Sequence, residues 1–115
     1  MIQAIVRLYL AREKRTEAQG IICSISERVR AKRGCIGCDV YQNTRKEEIL
    51  VYEELWESKE DMERHLRSDD YHKLLLVIEM SSHPPDISFN TIQETAGLET
   101  IERARQESIC RKESK

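Results

Sequence analysis

The sequence predicts an α+β domain of order β-α-β-β-α-β, with two helices on one face of an antiparallel sheet. Three observations predict it. Apolar residues fall on alternate positions from Ile2 to Leu10, and strand-like segments follow at Cys35 to Asn43 and Ile49 to Glu57. Ala18, Ile21, Ile22, Ile25 and Val29, and later Met62, Leu66, Tyr71, Leu74, Leu75 and Ile78, recur at the three- and four-residue steps of a helix face. Start, turn and stop signals separate these runs. At 115 residues, 39% hydrophobic and 35% charged, the chain has the size and composition of one folded domain.

In the first strand Ile2, Ala4, Val6, Leu8 and Leu10 share a face, while Ile5 and Tyr9 add apolar surface to the other. Thr16 and Gln19 form a capping-box pattern that opens the first helix, and Lys32, Arg33 and Gly34 close it. The second and third strands make a hairpin around the polar turn 43–47. Ser58 and Asp61 start the second helix at Lys59, and Ser68-Asp69-Asp70, three cap-forming residues, interrupt it. His83-Pro84-Pro85 ends the helical region. A fourth strand runs from Ile87 to Thr95. Beyond Gly97, the residues Leu98, Ile101 and Ala104 or Arg105 suggest a short helix before a frayed, charged tail from Arg111 to Lys115. The domain is thus expected over 1–97, with 98–115 as helix and tail.

This order is the split β-α-β arrangement of ferredoxin-like domains. Several strands are apolar on both faces, as Ile5 with Val6 and Val51 with Tyr52 show, yet two helices cover only one. Homodimerisation through the sheet is the simplest cover for the other.

Lys and Arg total 19 against 21 Asp and Glu, net −2, with the signs interleaved. That argues against a nucleic-acid partner. The basic clusters Arg12 to Arg15 and Arg30 to Arg33 flank the first helix and are read as solvated helix ends, a binding patch being the alternative. No secretory signal and no membrane-length apolar run is evident, so a cytoplasmic protein with no membrane partner and with Cys23, Cys35, Cys38 and Cys110 reduced is expected.

Four features could carry chemistry. Cys35-x-x-Cys38 invites a zinc or thiol reading, but in a regular strand side chains three apart point to opposite faces, which favours structural cysteines. His65 and His72 lie about 10 Å apart along a continuous helix, too far to share an ion, so no metal is expected. His65 borders the Met62 and Leu66 stripe, as a core histidine bonded to backbone or as a base facing the interior. Tyr52, Glu54 and Trp56 share one strand face, a mixture of aromatic walls and polar groups that suits a small-molecule pocket as well as a core.

The run "YEELWESKEDMERHLRSDDY" resembles the antibiotic biosynthesis monooxygenase family, in which an acidic-x-Trp ends the third strand and a polar helix start, a His and Ser-x-x-aromatic follow. Glu54, Trp56, His65, Ser68 and Tyr71 occupy those places, and "RGCIGCDVYQN" is similar to the family's second strand. The resemblance, covering Ile2 to about Thr95, implies a dimeric α/β barrel. It also implies, for some members, oxygenation of quinol- or anthrone-like aromatics without metal, flavin or haem. On that reading His65 is the catalytic base or phenolate partner, Trp56 and Tyr71 are walls, and Tyr52 with Glu54 positions the substrate's oxygens. Haem-degrading relatives carry an Asn in the first strand, absent here, a Trp where this chain has His65 and an axial His where it has Leu75. A cofactor-free monooxygenase of a small electron-rich aromatic is therefore expected, the alternative being a non-catalytic dimeric module for ligand binding or assembly.

Overall fold

The computed structural model describes residues 1–113. Its order is β1 (Ile2–Tyr9), a 3-10 turn (Arg12–Lys14), α1 (Arg15–Arg30), β2 (Cys35–Gln42), β3 (Ile49–Trp56), α2 (Lys59–Leu66), α3 (Asp69–Ile78), β4 (Asp86–Thr91) and α4 (Leu98–Glu113). The four strands form one antiparallel sheet in the order β2-β3-β1-β4. This is the expected ferredoxin-like α+β topology.

The core lies between the sheet and the helices. Ile2, Val6 and Leu8 of β1 and Leu50, Tyr52 and Trp56 of β3 pack with Ile22, Ile25 and Val29 of α1 and with Leu74 and Val77 of α3. Each fully buried aliphatic chain contributes about 1.5–3 kcal/mol, so this layer holds the fold together. The β1–β3 register sets Ala4 opposite Glu54 and Ile2 opposite Trp56, which puts a carboxylate into the same layer. On the other face Ile5, Val51, Leu55 and Tyr41 remain half-buried or exposed. The described residues of α4, from Leu98 to Glu107, are all exposed and do not cover it.

Four expectations are corrected. Thr16 and Gln19 do not cap α1: the 3-10 turn passes directly into the helix at Arg15, and no side chain caps it. β4 stops at Thr91 instead of Thr95. The terminal helix is longer than expected and takes in Arg111 to Glu113 of the predicted tail, whereas 114–115 lie outside the described residues.

The fourth correction concerns the cysteines. β2 carries a bulge between Cys35 and Gly37, so Cys35 stands opposite Trp56 and Cys38 opposite Glu54. The extra residue returns both cysteines to one face, the core side, where alternation had placed them apart. Cys38 is buried, with its thiol pushed up to about 11 chiefly by that burial, and Cys35 is half-buried against the core. Both are free thiols, and the Cys110 side chain lies outside the described residues.

The predicted helix interruption does occur. Arg67 ends α2 and Ser68 caps α3, its Oγ accepting the Tyr71 N–H, just as Ser58 Oγ accepts the Asp61 N–H at the start of α2. The resulting corner turns His65 inward against the sheet.

Candidate active site

Five side chains picked out in the sequence meet at the end of β3. Strand alternation aims Tyr52, Glu54 and Trp56 at the helices, and the last turn of α2 brings His65 down onto them; all four are at most 2% exposed. Tyr71, from the first turn of α3, closes the group from the side and is 9% exposed.

Glu54 is the hub. Its Oε2 accepts from the Tyr52 hydroxyl and lies 2.6 Å from His65 Nε2, while Oε1 accepts from Trp56 Nε1 at 3.0 Å. A carboxylate only accepts, so three donors on two oxygens match its ionised form. Burial, followed by the negative charge of Glu54, holds the Tyr52 phenol well above its ordinary range, so it stays a donor. Burial likewise raises Tyr71.

His65 has side-chain partners at both ring nitrogens, not the backbone partner of a bland core histidine. Lys32 Nζ lies 3.1 Å from Nδ1. An ammonium can only donate, so Nδ1 presents its lone pair and Nε2 carries the proton given to Glu54. The imidazole ring stacks on Trp56, with centroids 5.0 Å apart and planes at 30°, and Tyr71 meets it edge-on at 5.4 Å. Ring orientation and tautomer are therefore fixed together.

Lys32 was not among the site residues picked out in the sequence, and Ser68 was named there only as a motif position and a helix break. Lys32 extends from the end of α1 to His65, to Ser68 Oγ at 3.0 Å and to Asp70 Oδ2 at 3.2 Å, one partner for each of its protons. Arg28 also binds Asp70, at 2.7 Å, and these two cations keep the Asp70 carboxyl below the usual range, Arg28 foremost. Gly34 makes the turn possible. Its φ of 82° suits glycine, and a Cβ there would collide with the Asp61 side chain. Lys32 sits among the basic residues expected to be a solvated helix end, and no local spacing ties it to His65.

A pocket of about 280 Å³ opens over the outer edge of this cluster, lined by Trp56, His65, Ser68, Lys32, Arg33 and Arg64. Asp61 also borders it and pairs with Arg64 at 2.9 Å. Tyr52, Glu54 and Tyr71 do not line it; they stand behind His65 and Trp56. A larger cavity, about 650 Å³, lies near Tyr9, Leu10 and His83, where no ionisable side chain is buried. Among the described residues no group of three or more His, Cys, Asp or Glu could hold a metal ion, and no helix is long and apolar enough to cross a membrane.

Comparison with known proteins agrees with this architecture. Residues 1–75 match the family model described as antibiotic biosynthesis monooxygenase. Among solved structures, a protein of Deinococcus radiodurans provisionally named an antibiotic biosynthesis monooxygenase superposes with a TM-score of 0.77 at 15% identity, over 85% of this chain and 98% of its own. A conserved protein of Methanosarcina mazei gives 0.73 at 26% identity, over 80% and 92%. The Mycobacterium tuberculosis protein Rv0793 gives 0.74 at 21% identity, over 84% and 98%. No curated protein matches the chain.

Proposed function

Because the chain belongs to the antibiotic biosynthesis monooxygenase family, we propose that it oxygenates a small electron-rich aromatic, a hydroquinone or an anthrone, with O₂ and without metal, flavin or haem. The observation that carries this reading is the buried Glu54–His65 pair beside a pocket walled by Trp56. A base, a flat apolar wall and a partly enclosed space are what such a reaction asks of a protein.

In this scheme substrate enters the pocket beside Trp56 and His65 with its acidic O–H or C–H directed at His65 Nδ1. His65 takes that proton, and the Glu54 carboxylate at Nε2 offsets the imidazolium charge, as a carboxylate does for a catalytic histidine elsewhere. The substrate anion then reduces O₂. One oxygen atom enters the product and the other leaves as water with the two hydrogens the substrate loses, so the substrate supplies all four electrons. Tyr52, Glu54 and Tyr71 act through His65 and Trp56, by fixing charge and ring orientation.

Two chains would join by the open sheet face around Ile5, Val51 and Leu55, which no described helix covers. One observation favours the alternative, a binding or assembly module without turnover: both nitrogens of His65 are already engaged. Oxygen uptake on a panel of hydroquinones and anthrones, with product analysis, separates the two.

A further inference from the structure

Three of the pocket's lining residues are cations. Lys32, Arg33 and Arg64 border it against one lining carboxylate, Asp61, paired with Arg64, while Asp70, outside the lining, pairs with Lys32. Buried Trp56 adds an apolar border, and with the cationic rim the pocket suits an aromatic that carries negative charge. Within it, the Lys32 ammonium touches the one imidazole nitrogen not committed to Glu54.

We propose that Lys32 is the anion-binding residue of this site: it caps His65 Nδ1 in the empty pocket, gives way to an acidic aromatic hydroxyl, and then holds the resulting oxyanion. The inference rests on the pocket's being the ligand site.

His65 Nε2 donates to Glu54, so a proton can be accepted only at Nδ1, and an acid arriving there meets Lys32 Nζ at 3.1 Å. An entering hydroxyl inserts between the two, donating to Nδ1 and accepting from Nζ. On transfer the O–H bond breaks and an N–H bond forms at Nδ1. The oxyanion keeps the bond from Lys32, and the imidazolium lies between that oxyanion and Glu54. No net charge is added to the pocket by the transfer; neutral acid and neutral base become an ion pair flanked by Glu54 on one side and Lys32 on the other. Lys32 can leave Nδ1 without being stranded, because Ser68 Oγ and Asp70 Oδ2 still hold it.

The chain's single Trp lines this pocket, so its fluorescence reports occupancy directly. The test titrates the full chain with two probes, a hydroxynaphthoquinone whose hydroxyl is ionised at neutral pH and the neutral parent naphthoquinone. Wild type should prefer the ionised probe. Lys32→Met should weaken that probe by about tenfold or more, the usual worth of a hydrogen bond to a charged group, and the neutral probe by less than about threefold. Lys32→Arg should retain part of the preference. Lys32→Met should fold, because Arg28 still pairs with Asp70, and a urea curve checks this. An unchanged preference in Lys32→Met, or an equal loss for both probes, overturns the role of Lys32 while leaving the pocket as ligand site. Failure of wild type to bind either probe overturns the ligand site and the proposal with it.

Discussion

Replacing Glu54 by Gln keeps size and shape and changes only charge and one hydrogen-bonding end, which makes it the sharpest probe of the cluster. Glu54 is 0% exposed and its two oxygens serve Tyr52, Trp56 and His65. Gln brings one amide NH₂ into a site surrounded by donors. Facing Trp56 Nε1, that NH₂ leaves two buried donors opposed. Facing His65, it demands a lone pair at Nε2, moves the proton to Nδ1 and sets it against the Lys32 ammonium. Either way about one buried donor is left unpaired, at about 1–3 kcal/mol, and the charge-assisted bonds weaken. Relief of carboxylate desolvation offsets part of this, so the expected net loss is about 2 kcal/mol. With a urea slope of about 1–2 kcal/mol per molar for a domain of this size, the midpoint should fall by about 1 M or more. Trp56 fluorescence reads the transition, at one fixed protein concentration so that any subunit association cancels. A midpoint within about 0.2 M of wild type would show that Glu54 does not anchor these donors, and the tautomer argument for His65 would fail with it.

Two further predictions test the surroundings. Asp70 has a depressed carboxyl, so its stabilisation is present above the ordinary unfolded value near about pH 4 and is lost as pH falls through the lower folded value. Asp70→Asn should therefore be less stable than wild type at neutral pH, with the gap closing in strong acid; a gap that stays constant with pH would mean that the Arg28 and Lys32 pairs contribute nothing. Sedimentation velocity should give twice the chain mass at micromolar concentration, and Val51→Glu on the open face should shift it to one chain mass while circular dichroism stays native; a monomeric wild type would remove the proposed sheet interface.

Much of this architecture was legible because it depends on local period. Alternation in β3 was enough to place Tyr52, Glu54 and Trp56 on one face, and the cap preferences of Ser68, Asp69 and Asp70 marked the corner that turns His65 inward. Features that depend on distant pairing were not legible. The β2 bulge is defined by its register on β3, so Cys35 and Cys38 could not be assigned to one face from their spacing. Lys32 is 33 residues from His65 and reaches it only because of how α1 ends beside the α2–α3 corner; locally it looks like any cation at a helix C-terminus. The Thr16–Gln19 pattern failed for a related reason. A 3-10 turn with Arg15 Nε bonded to the Leu10 carbonyl at 3.0 Å passes straight into α1, so no side-chain cap forms there.

The role of His65 as a base is measured most directly by oxygen uptake per folded molecule with hydroquinone and anthrone substrates, comparing wild type with His65→Ala and His65→Gln. The alanine variant leaves Glu54 short of a donor and loses stability, so the folded fraction is measured alongside; glutamine can still donate to Glu54 but cannot take a proton at neutral pH. Wild type should consume O₂ well above the rate of substrate autoxidation, and both variants should fall by about a hundredfold or more, the usual worth of general acid–base catalysis. Uptake by folded His65→Gln equal to wild type, or wild-type uptake no faster than autoxidation across the panel, would contradict it.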